Sequence, residues 1–178
     1  MKTIGHSTLP LEVFLRALVD NGVRTLVDVR RYPGSRRNPQ YSQRALFAAL
    51  TEERIEGIWR EGLGGHRQPL AESINLGWRH DSFRGYADYM QTIEFAAHLD
   101  WLLALPGEVA IMCAESHPLH CHRSLIADAL LARGHVVEHI LVDAPGSSRL
   151  EPHRLTSFAR IEDGRLWYPP PHAVTLFD

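Results

Sequence analysis

The run Val109–Cys113 is apolar at all five positions, follows the helix stop Pro106-Gly107 and ends in a polar loop. It is too short for a helix and lacks the alternation of a half-solvated strand, which is the pattern of a strand buried on both faces of a parallel sheet. Parallel neighbours need crossover connections, so the rest of the chain should alternate strands with helices. It does. Residues 3–5 read as a short strand, and 10–21 as a helix with Leu11, Phe14, Leu15 and Leu18 at helical spacing and Gly22 as its stop. Residues 24–29 form a β-rich apolar run, Ser42 can cap a helix over 43–56, and 57–59 is a strand candidate. A long helix is expected over 86–105, with Met90, Ile93, Ala97, Trp101 and Leu105 on its apolar face, then a helix over 121–133 and a last strand over 136–142. The expectation is an α/β fold, a mainly parallel sheet with helices on both faces and right-handed crossovers.

With 178 residues, the chain is expected to form one domain over 1–178, carrying a long polar loop around 60–85 and a Pro-rich C-terminal tail over 144–178. That tail holds Ala144-Pro145-Gly146-Ser147-Ser148 and Pro169-Pro170-Pro171, both linker-like. The 44% hydrophobic and 22% charged fractions exclude a disordered or fibrous chain. Two cysteines exclude a disulfide framework, and Met1-Lys2-Thr3-Ile4-Gly5-His6 lacks the apolar stretch of a signal peptide. No apolar run approaches the roughly 20 residues that span a bilayer. A cytoplasmic protein without membrane contact is therefore expected.

The formal net charge of -2 gives no general argument for nucleic acid, but the cations are 18 arginines against one lysine. Ten of the arginines fall between Arg30 and Arg84, against six acids. Their planar fork suits bidentate binding of phosphate or carboxylate better than the point charge of lysine does.

Three polar clusters follow the expected strand ends: His6 and Ser7; Asp28 and Arg30 through Arg36 and Arg37; and Cys113, Glu115, His117, His120, Cys121, His122, Arg123 and Ser124. Parallel strands bring such clusters to one rim, where folds of this class bind ligands. Cys113, at a strand end and aimed at a helix start bearing Arg123 and Ser124, is placed for a stabilised thiolate. Cys113, His6 and Glu115 are the candidate catalytic residues, as nucleophile and proton-transfer groups. Ser7, Asp28, Arg30, Arg36, Arg37, Tyr41, Arg67, Tyr86, His122, Arg123 and Ser124 are the candidate substrate-binding set.

The unit from Cys113 to Val137, a strand ending in Cys, a loop, Arg-Ser opening a helix, and then Gly and a Val-rich strand, resembles the active-site unit of rhodaneses and cysteine phosphatases. Leu26-Val27-Asp28-Val29-Arg30 is similar to the rhodanese Asp-Val-Arg strand end. Those enzymes place five residues between nucleophile and Arg, whereas nine separate Cys113 from Arg123 here, and Cys121 lies too close to Arg123 to take that part. Ile4-Gly5-His6-Ser7, Asp28-Val29-Arg30 with Pro33 and Ser35-Arg36, Leu63-Gly64-Gly65, Phe83 with Tyr86-Ala87 and Tyr89-Met90, and Cys113-Ala114-Glu115 through Cys121-His122-Arg123 span nearly the whole chain. Together they resemble the family catalogued as domain of unknown function 488. That resemblance strengthens the site and leaves the reaction open.

Three functional readings follow. The first is an enzyme whose arginines clamp a phosphate-bearing ligand, a nucleotide or a nucleic-acid end, with Cys-dependent transfer or hydrolysis. The second is a metal site in the Cys/His cluster over 113–122; its ligands are crowded rather than paired at the spacing of structural zinc sites, so no metal and no cofactor is expected. The third is a nucleic-acid-binding module in which the arginines of 30–86 meet phosphates while Tyr32, Tyr41, Trp59, Trp78, Phe83 and Tyr86 stack on bases.

Overall fold

The computed structural model of the protein describes residues 1–34, 37–144 and 146–170. In chain order the elements are β1 (Lys2–Gly5), α1 (Leu11–Asp20), β2 (Thr25–Asp28), α2 (Gln43–Glu52), β3 (Glu56–Trp59), α3 (Asp81–Tyr89), α4 (Ile93–Leu103), β4 (Val109–Cys113), α5 (Arg123–Ala132), β5 (Glu138–Ala144), β6 (Ser147–Pro152), β7 (Arg160–Glu162) and β8 (Arg165–Trp167). Among the described residues, one six-stranded sheet has the order β3-β2-β4-β1-β5-β6. The β1–β4, β1–β5, β2–β3 and β2–β4 pairs are parallel, and β6 runs antiparallel to β5. The mainly parallel α/β sheet read from the sequence is the fold observed.

The uniform apolarity of β4 has a direct cause. Val109, Ile111 and Cys113 point into a cluster with Tyr86 of α3, Leu99 of α4 and Leu125 of α5, while Ala110 and Met112 point into a second cluster with Phe14 and Leu18 of α1 and Leu46 of α2. Helices cover both faces, so neither face of the strand tolerates a polar side chain. No helix of the described residues is long and apolar enough to cross a membrane.

Three expectations needed correction. The single helix expected over 86–105 is two helices: the Thr92 hydroxyl accepts from the Phe95 amide at 3.2 Å and so caps α4. The first helix begins earlier, at Asp81, where the His80 ring accepts from the Ser82 amide, so the long loop is shorter than read. The tail is built into the fold where it is described: Ser147 and Ser148 of the first linker-like stretch open β6, Pro145 and Pro171 lie outside the described residues, and the β7–β8 hairpin turns through Asp163 and Gly164, both at positive φ (50° and 76°). An Asp-Gly pair in that conformation is the favoured two-residue hairpin turn. The tail also contributes core, since Leu166 and Tyr168 are buried. The remaining loop is pinned by buried Asp88, which accepts from the Leu70 amide, the Ser73 hydroxyl and the Asn75 side-chain amide at 2.9, 2.6 and 2.8 Å.

Candidate active site

Parallel register sets the rim. Gly5 stands opposite Cys113, and Asp28 opposite Met112. Pairing continues past the strand ends, with the His6 amide donating to the Cys113 carbonyl (3.1 Å), Ser7 to Ala114 (2.7 Å) and Val29 to Met112 (2.9 Å). Beyond them opens a crevice of about 340 Å³ walled by Arg30, Arg31, Cys113, Glu115, Cys121 and His122 among others. Gly5 is required here, because a Cβ on it would lie 1.8 Å from the Glu115 carbonyl oxygen. Gly65 serves the opposite wall, where a Cβ would meet His122 Nδ1 at 2.9 Å.

Asp28 and Arg30 form a buried pair. Arg30 Nε donates to Oδ1 at 2.9 Å and Nη2 to Oδ2 at 2.6 Å, with side chains 0% and 5% exposed. Arg30 Nη1 is 3.4 Å from His6 Nε2. A guanidinium only donates, so Nε2 accepts and the His6 proton sits on Nδ1, which donates to the Ser7 carbonyl at 2.8 Å. Burial, and then the Arg30 charge, push the His6 pKa down to about 4. Its ring stacks on Tyr41 at 4.1 Å between centroids, and Ser7 is held at φ 46°, an uncommon conformation for a non-glycine residue.

A cluster of two thiols and an imidazole also lines the crevice. One potential ligand atom from each of Cys113, Cys121 and His122 lies within 4.8 Å of the others, and Cys121 Sγ is 3.7 Å from His122 Nδ1. His122 Nε2 is 3.0 Å from the Val29 carbonyl, which only accepts. The proton of neutral His122 is therefore on Nε2, and the bare Nδ1 lone pair faces the Cys121 thiol. Burial opposes ionisation of Cys121, but a hydrogen bond from Cys113, the His122 ring once Nδ1 has taken the thiol proton, and nearby Arg123 outweigh it and hold its pKa well below the ordinary thiol value. Cys113 is driven the opposite way, by its hydrogen bond to Cys121 and by burial. Of the two sulfurs, Cys121 is the favoured thiolate and Cys113 keeps its proton. Cys121 also lies two residues before α5, next to its N-cap His122, and the N-terminal amides of that helix favour negative charge.

The remaining expected residues divide by position. Arg30, Cys113, Glu115 and His122 line the crevice; His6, Asp28 and Arg123 are buried behind its wall. Arg123 donates to the Glu115 and Ser116 carbonyls (2.5 and 3.3 Å) and to Thr3 Oγ1 (3.1 Å). Ser124 Oγ donates to the Cys121 carbonyl at 3.0 Å, and the Tyr86 hydroxyl to the Leu63 carbonyl at 2.9 Å. Arg67 packs over the Tyr89 ring at 3.7 Å and donates to the Gly62 and Gly64 carbonyls. Arg37 is exposed, and Arg36 lies outside the described residues. Of the six aromatics read as base-stacking candidates, Tyr32 alone is exposed, at 72%; Tyr41 and Tyr86 are core residues.

Sequence reasoning set Cys121 aside as a nucleophile on its distance from Arg123, and missed His66, His80 and Ser82 as crevice lining. The signal available for Cys121 was the Cys-His dipeptide itself, which places an imidazole beside a thiol.

The family model described as domain of unknown function DUF488 matches residues 10–130 of the chain. No curated protein and no solved structure matches it.

Proposed function

The chain belongs to the DUF488 family, and with that as premise we propose that the rim crevice is the site of a Cys-dependent transferase or hydrolase acting on a phosphate-bearing substrate, with Cys121 as nucleophile. The observation that carries this reading is the Cys121 thiol 3.7 Å from His122 Nδ1, which can take its proton and leave a favoured thiolate, in a crevice walled by Arg30 and Arg31. Arg30 is occupied by Asp28, but Arg31 pairs with Glu61 at a looser 3.5 Å and is half-buried, so its fork can turn to an anion. His122 Nδ1 takes the thiol proton, and the thiolate attacks the electrophilic centre of the substrate as the bond to the leaving group breaks. Glu115, exposed at the mouth, supplies proton transfer to the leaving group and activates the water or acceptor that releases the product from sulfur. Cys113 donates to the resting thiolate and keeps it poised.

The test is protection from alkylation. Nucleoside monophosphates and inorganic pyrophosphate, at ten times their Kd, should slow iodoacetamide labelling of Cys121 about tenfold, since ligand-bound protein is shielded in proportion to occupancy. Arg31→Ala should abolish the protection while leaving the unliganded labelling rate unchanged. If no anion protects, the substrate is uncharged and Arg31 serves only its ion pair with Glu61.

A second reading rests on the same three side chains. Two Cys and one His with an open fourth direction is a donor set of catalytic zinc, and a carbonyl orienting the far imidazole nitrogen, as Val29 does, is its usual outer contact. Elemental analysis separates the two. About one zinc per chain, with Cys121 unreactive until a chelator is added, replaces the thiolate reading.

A further inference from the structure

Arg123 is 1% exposed, and among the described residues its hydrogen-bond partners are all neutral oxygens: the Glu115 and Ser116 carbonyls and the Thr3 hydroxyl. A buried guanidinium without a carboxylate in contact is expensive unless a counter-charge reaches it by another route. Such a route exists on the α5 side of β1 and β5. Thr3 Oγ1 is 2.8 Å from His139 Nδ1, His139 Nε2 is 3.0 Å from His153 Nδ1, and His153 Nε2 is 2.8 Å from Asp128 Oδ1. Asp128 is fully buried and accepts also from the Thr156 amide (3.0 Å) and the Tyr168 hydroxyl (2.8 Å).

The ends fix the direction of the proton-bearing bonds. Arg123 only donates, so Thr3 Oγ accepts from it and passes its own proton to His139 Nδ1. His139 then carries its proton on Nε2 and gives it to His153 Nδ1, and His153 carries its proton on Nε2 and gives it to the Asp128 carboxylate. Every link is satisfied with both imidazoles neutral. A burial-lowered His139, at about 4, agrees with that assignment. Aligned bonds of this kind polarise one another, which lets a cation at one end feel an anion at the other.

We propose that Asp128 is the counter-ion of Arg123 through the Thr3–His139–His153 chain, and that these residues position the loop over 114–122 that forms one wall of the crevice. Arg123 is the link, since its other donors hold the carbonyls at the start of that loop. The inference goes beyond the proposed reaction and is independent of it, because the loop must be held whether its sulfurs attack a substrate or bind a metal.

The test begins on the native protein. Long-range ¹H–¹⁵N spectra at neutral pH should show His139 and His153 both as neutral Nε2–H tautomers; an Nδ1–H tautomer or an imidazolium at either one overturns the chain of donors. Next, Asp128→Asn and Arg123→Met, singly and together, are compared by urea midpoint. If the two charges compensate, the double variant loses no more than the worse single variant; additive losses overturn the pairing. Finally, amide exchange over 114–122 should accelerate about tenfold in Asp128→Asn while exchange in α1 is unchanged. Should that variant fail to fold, Thr3→Val cuts the chain at its hydroxyl with little change of shape and gives the same reading. Unchanged exchange in the folded variant means that the chain does not position the loop.

Discussion

Replacing Asp28 by Ala is expected to destabilise the protein by about 3–5 kcal/mol, the range found when one partner of a buried ion pair is removed. The carboxylate accepts from Arg30 Nε, Nη2 and the Arg30 amide, and both side chains are buried. Without it, among the described residues, a guanidinium 5% exposed keeps only His6 Nε2 at 3.4 Å as a side-chain acceptor. Urea unfolding of the variant measures the loss. A change below about 1 kcal/mol would mean that Arg30 reaches water through the crevice at little cost, and that Asp28 is not what holds it.

Acidification should remove a second large contribution. His6 and His139 each have a pKa near 4 in the fold, for which burial is the first cause, against an ordinary value of 6.5. The unfolded chain therefore binds more protons than the folded one between these values. The stabilisation is fully present above pH 6.5, declines as the pH falls and levels off below about 4. At 1.36 kcal/mol per unit, each histidine is worth about 3 kcal/mol over that window. The decline between about pH 6.5 and 5, above the range of ordinary carboxylates, is the informative part. A urea midpoint that is flat there would mean that these rings are charged in the fold.

The sheet was readable because its determinants are local. Val109–Cys113 announces a strand covered on both faces, and Gly22 and Gly134, both at positive φ, stop their helices where expected. The break after Met90 was hidden because the apolar spacing runs through it, while the Thr92 cap that divides the helices is a single hydroxyl. The hairpin of the tail had a local signal, Asp163-Gly164, obscured by the prolines beyond it. The rim also followed from parallel strands alone, which is why His6, Asp28, Arg30 and Cys113 were grouped in advance. What spacing could not convey is closure in three dimensions. Cys113 and Cys121 are separated by a loop that returns on itself, tied down by Arg123 to the carbonyls of residues 115 and 116, so that two distant sulfurs meet. Likewise, nothing local links Thr3, Asp128, His139 and His153, which lie on four separate segments.

The proposed reaction depends on the thiolate of Cys121, and the rate of alkylation as a function of pH, read separately for each cysteine by peptide mapping, tests that thiolate most directly. Native protein exposed to iodoacetamide from about pH 5 to 9 should be labelled at Cys121 at a rate that has already levelled off at neutral pH, because only the thiolate reacts. Cys113 should lag throughout and react only at the alkaline end. Labelling of Cys121 that keeps climbing through pH 8 like an ordinary thiol, or preferential labelling of Cys113, would contradict the assignment of the nucleophile.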